Sequence, residues 1–75
     1  MESTMKFAVT AVAMSRATRR RVGKARVEVI DTKDNLMFRT SKTPADVEAV
    51  YESFWNDLNP NSEDVVKVVD VRRVD

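Results

Sequence analysis

The chain has 75 residues and a mass of 8.6 kDa, contains neither cysteine nor histidine, has one glycine, and carries a formal net charge of +1. Without thiols or imidazoles it has no thiolate or histidine zinc site, and no cysteine nucleophile or histidine base of the usual hydrolase kind. A chain this short buries only about 60% of its unfolded surface and makes one small domain, so an open substrate pocket is costly to support and dimerisation or very regular packing is expected to assist.

The longest apolar run, residues 7–14, is interrupted by Thr10 and falls far short of the ~20 residues a membrane-spanning helix needs. The amino terminus lacks a basic region followed by an apolar one. The expectation is a cytoplasmic protein without a membrane partner, a single α+β domain over residues 1–75, with residues 1–4 flexible. The net charge hides an uneven layout. Residues 1–43 hold ten cations against four anions, a net of +6, and residues 44–75 hold three cations against eight anions, a net of −5. Such asymmetry favours an acidic partner on one face, or cancellation of the two signs within the domain or across a dimer.

Residues 5–14 predict a first strand, with Phe7, Val9, Ala11 and Ala13 alternating with Lys6, Ala8, Thr10 and Val12. Both sets are fairly apolar, which suits a central position. Residues 15–24 break the pattern with polar and basic side chains around Gly23, and predict a loop or an extended hairpin tip beyond the sheet. Alternation resumes over residues 25–31, a second strand, with Val27 and Val29 on one face and Arg26, Glu28 and Ile30 on the other. Residues 32–35, Thr-Lys-Asp-Asn, carry turn chemistry, so residues 36–40 read as a third strand in a hairpin, Leu36 and Phe38 facing the core opposite Met37 and Arg39.

A helix follows. Thr43 stands at the cap, Pro44 enters the first turn, and Asp46 sits where it completes a capping-box-like pair. Val47, Val50, Tyr51, Phe54, Trp55 and Leu58 recur at spacings of three and four, one broad apolar stripe expected to lie on the sheet, and Asn59-Pro60-Asn61 ends the helix. Residues 65–74 form the last strand, whose valines lose clean alternation; burial on both faces and a bulge near Val68 and Val69 both account for this. The expected fold is a two-layer βββαβ sandwich, a mostly antiparallel four-stranded sheet in order 3-2-1-4 with the helix as crossover on one face.

Candidate function concentrates in residues 16–26, where Arg16, Arg19, Arg20, Arg21, Lys24 and Arg26 place six cations in eleven residues. Guanidinium groups match phosphate oxygens in bidentate geometry, and clustered cations gain from counterion release on a polyanion. No aromatic residue lies in the segment, which argues against base stacking as the main source of affinity. With an open outer sheet face, Arg26, Glu28, Ile30, Met37 and Arg39 would line it beside the basic loop. No glycine-rich phosphate loop exists, no carboxylate pair is pinned in a pocket, and no cofactor or metal is expected.

Arg19-Arg20-Arg21, Gly23-Lys24, Glu28, Val29 and Asp31, followed by Thr43 and Tyr51-Glu52 on a helix, resemble the strand-and-helix part of the plant ethylene-response-factor DNA-binding domain. The sheet followed by Thr-x-x-Asp and an aromatic helix also looks like the arm-binding domain of phage integrases. The likeness covers roughly half the chain, lacks tryptophans in the sheet, and has no counterpart for the final valine strand. It implies DNA contact through Arg19, Arg21, Lys24, Arg26 and Arg39. A second likeness, to very small β-rich phage inhibitors of host enzymes, rests on the acidic helix before a closing strand, with Glu48, Glu52, Asp57, Glu63 and Asp64 as its acidic surface. The function expected is therefore that of a small non-enzymatic nucleic-acid-binding regulatory domain, contacting DNA or RNA. The alternative is a protein-interaction module or phage-type inhibitor docking on a larger complex, with an acidic protein surface or a second copy of the chain as partner.

Overall fold

The computed structural model describes residues 5–74; the expectation of a flexible segment over residues 1–4 lies outside them. Three strands form one antiparallel sheet: β1 (Lys6–Ser15) in the centre, β2 (Arg21–Asp31) on one side and β3 (Asp64–Arg73) on the other. A single helix, α1 (Pro44–Leu58), connects β2 to β3 and packs on one face, over β3 and the adjoining part of β1. This is an α+β domain, and the central place of the first strand beside the last holds.

The expected third strand does not form. Residues Leu36–Phe38 make a 3-10 turn instead, because the Asn35 side chain accepts the Met37 N–H at 3.2 Å while Phe38 N–H returns to the Asn35 carbonyl at 3.0 Å. Asx side chains offer the backbone this local alternative to a ladder, and a five-residue run lacks the length to outcompete it. Of its two expected core residues, Phe38 is buried and Leu36 is 78% exposed. Among the described residues the sheet therefore has three strands, and a hairpin joins β1 to β2 through residues 16–20.

Register decides which side chains meet the helix. Phe7 pairs with Ile30, Val9 with Glu28 and Ala11 with Arg26, so these β2 residues share the helix-side face with the core of β1. Val27 and Val29, opposite Thr10 and Ala8, lie on the bare face at 68% and 61% exposed. That inverts the expected parity of the second strand. Because side chains alternate with a period of two, the face is set by the partner strand and by where the helix lands, neither of which β2 encodes.

Two irregularities bend the sheet. In β3, Thr10 faces Asp70 and Ala11 faces Val68, which leaves Val69 as an extra residue; the broken valine alternation is thus a bulge. In β2 the pairing jumps from Arg26 to Val22 while β1 advances only from Ala11 to Ala13, and Gly23 occupies this shift at φ +77°, which costs a glycine little.

One core cluster holds Phe7, Val9, Ala11, Ile30, Phe38, Val47, Tyr51 and Val68, with Met5, Val50, Trp55, Val66 and Val71 packed against it. Phe7, Val9 and Val47 are completely buried, each contributing roughly 1.5–3 kcal/mol. The helix starts as its sequence predicts: Thr43 Oγ1 accepts the Asp46 N–H at 3.2 Å and the Asp46 carboxylate accepts the Thr43 N–H at 3.1 Å, a complete capping box. Tyr51 and Trp55 are core and core-flanking residues of the stripe, and Leu58 at its end is 57% exposed. Among the described residues no helix is long and apolar enough to cross a membrane.

Candidate functional site

The hairpin tip is built by local hydrogen bonds that need no packing. The Ser15 N–H donates to the Arg20 carbonyl at 2.9 Å, the Arg19 N–H donates to the Ser15 carbonyl at 2.8 Å, and Thr18 Oγ1 accepts the Arg20 N–H at 3.3 Å. Arg16 N–H donates to the Glu63 carbonyl at 2.9 Å, tying the tip to the loop that leads into β3. Closing the loop this way forces Arg19 to φ +60°, the left-handed region where glycine or asparagine is usual. An L-residue there costs about 1–2 kcal/mol.

Arg16, Arg19, Arg20, Arg21, Lys24 and Arg26 are all exposed. Arg21 pairs with Met14 on the face away from the helix, Arg26 pairs with Ala11 on the helix side, and Lys24 stands in the bulge between them. The charges therefore surround the end of the hairpin instead of lining one sheet face. Among the described residues none of these six forms an ion pair; the Arg72–Asp70 contact at 2.9 Å is on β3. The structure thus places four of the seven expected binding residues, Arg16, Arg19, Arg20 and Arg21, at the turn, with Lys24 and Arg26 further along β2. Arg39 is not among them: it caps the 3-10 turn beyond the far end of β2, on no strand. The expected outer face of Arg26, Glu28, Ile30, Met37 and Arg39 does not exist, since Ile30 is buried and Arg26 and Glu28 turn toward the helix.

Between the tip and α1 a depression of about 250 Å³ is bounded by Val22, Lys24, Arg26, Tyr51 and Trp55. Burial pushes the Tyr51 phenol above its ordinary pKa, the nearby Glu28 adds to this, and Arg26 works against it. The acidic residues of the other half do not make a uniform surface. Glu52 accepts the Val68 N–H at 3.3 Å and Asp57 accepts the Ser53 hydroxyl at 3.1 Å, so two of the five are engaged with the domain's own backbone or side chains. The sequence pattern does not reveal the exposure of Val27 and Val29, because alternation says only that they lie opposite Arg26, Glu28 and Ile30 and not which set meets the helix.

No family model matches the chain, and no curated protein or solved structure matches it significantly.

Proposed function

We propose that the chain is a small, non-enzymatic, cytoplasmic nucleic-acid-binding regulatory domain whose basic hairpin tip grips phosphates. The observation that carries this reading is the hairpin end, where Arg16, Arg19, Arg20 and Arg21 stand at one turn and Lys24 and Arg26 follow along β2, all exposed and none with an ion-pair partner among the described residues. Arginine is held in a left-handed conformation at Arg19, a cost that a glycine would remove. A two-stranded ribbon fits the major groove, and guanidinium groups on both of its faces reach phosphates on either side. With no aromatic residue between 16 and 26, affinity comes from phosphate contact and carries little sequence preference.

Titrating the wild type and Arg19/Arg20/Arg21→Ala against duplex DNA and structured RNA at several salt concentrations tests this. Each phosphate contact on duplex DNA contributes about 0.9 to the logarithmic salt slope, so the triple variant is expected to bind more weakly with a slope shallower by about 2–3. Equal, weak binding by both proteins overturns the reading.

A further inference from the structure

The two borders of the sheet are treated differently. On β3, Asn56 of the helix bonds both backbone groups of Val66, accepting its N–H at 2.8 Å and donating to its carbonyl at 3.2 Å, and Glu52 accepts the Val68 N–H at 3.3 Å. On β2 no such cover exists among the described residues. The bond from Thr32 N–H to the Met5 carbonyl at 3.0 Å makes Met5 and Thr32 a hydrogen-bonded pair. By the alternation of antiparallel ladders, Ile30, Glu28 and Arg26 then also turn their backbone groups to β1, while Val27 and Val29 turn theirs outward. No side chain of the described residues bonds those outward groups, and no proline interrupts the strand. An uncovered edge of this kind is a template for another strand.

We propose that β2 pairs antiparallel, edge to edge, with β2 of a second copy of this chain about a twofold axis through Val27, making one six-stranded sheet with both helices on the same side. Charge selects both partner and register. Centred on Val27, the pairing sets Arg26 opposite Glu28 of the second copy and Glu28 opposite its Arg26, with Val27 against Val27 and Ala25 against Val29 on the other face. Centring on Arg26 or on Glu28 sets like charges directly opposite, centring on Ala25 opposes Lys24 and Arg26, and centring on Val29 leaves Glu28 facing Ile30. Only the Val27 register pairs both charges and opposes no like ones, and it is also one in which outward backbone groups meet. The contact is isologous, so it closes at two copies. It sends the two basic tips to opposite ends of the sheet and leaves residues 16–21 free, so it stands apart from the nucleic-acid reading except at Lys24 and Arg26.

Sedimentation velocity on nuclease-treated protein over a range of concentrations tests the pairing. The wild type is expected to reach about twice the 8.6 kDa chain mass and to dissociate on dilution. Val27→Pro removes the central outward donor without removing a bond to β1, and is expected to be monomeric. Glu28→Arg is expected to raise the dissociation constant at least about tenfold, and Arg26→Glu/Glu28→Arg, which restores opposite charges, to recover the dimer. Far-UV circular dichroism checks that each variant is folded. A wild type that stays monomeric, a dimer indifferent to Val27→Pro and Glu28→Arg, or a folded charge swap that fails to recover it would overturn the proposal.

Discussion

β2 and β3 flank the same central strand in the same direction, yet one is built into the domain and the other projects from it. β3 lies beneath the helix, buries Val68, and has the outer N–H and carbonyl of Val66 bonded by Asn56 and the outer N–H of Val68 by Glu52. β2 keeps residues 21–29 exposed and buries only Ile30 near its end. One helix of fifteen residues cannot cover three strands, so it secures one edge and leaves the other available for contact. The packing contacts therefore gather on the β3 side, and the β2 side keeps an open edge.

Paired substitutions sharpen this contrast. Val68→Ala on the covered strand is expected to cost about 2 kcal/mol, a large share of what a domain this size has, whereas Val27→Ala on the open strand stays within about 0.5 kcal/mol in dilute protein. Chemical denaturation of both variants measures the difference, and equal losses break the comparison. Asn56→Ala strands the N–H and carbonyl of Val66 and is expected to cost about 1–3 kcal/mol, while also giving β3 an edge that invites association. Thr43→Ala weakens the helix that guards that edge by about 1 kcal/mol, a fall in melting temperature of about 4–8 °C. Arg19→Gly is expected to act in the opposite direction, raising stability by about 1 kcal/mol while weakening nucleic-acid binding.

The same helix cap gives an acid dependence. The N–H groups of Lys42 and Thr43, at 3.0 and 3.1 Å, hold the Asp46 carboxyl below its ordinary value of 3.8. Its contribution is complete above that value and is lost as pH falls through the lowered one, because the unfolded chain takes up the proton first. Acid unfolding followed by circular dichroism is expected to show this loss in the wild type and less of it in Asp46→Asn.

The helix was legible because its signals are local: Thr43, Pro44 and Asp46 fix its start, and the stripe from Val47 to Trp55 fixes its buried side. The strands β1 and β3 are legible from valine and alternation, and so is the broken alternation near Val69, which fits burial on both faces as well as the bulge that forms. The third strand was misread because Leu36 to Arg39 alternate acceptably, and only the Asn35 side chain's bond to Met37 N–H distinguishes a turn from a strand. The facing of β2 was misread for a different reason. Val27 and Val29 outrank Arg26 and Glu28 in hydrophobicity, but the face follows the pairing with Phe7 and Val9 and the reach of a helix held over β3. The basic tip is legible as a composition, whereas Arg39 joins it only through a third strand that does not form and through the resemblance to a DNA-binding domain.

Amide hydrogen exchange followed residue by residue tests the contrast most directly. In dilute protein the amides of Val66 and Val68 are expected to exchange slowly and those of Val27 and Val29 rapidly, with the latter pair slowing as concentration rises. Equal protection at the two edges in dilute protein, or fast exchange at Val66 and Val68, would contradict the account.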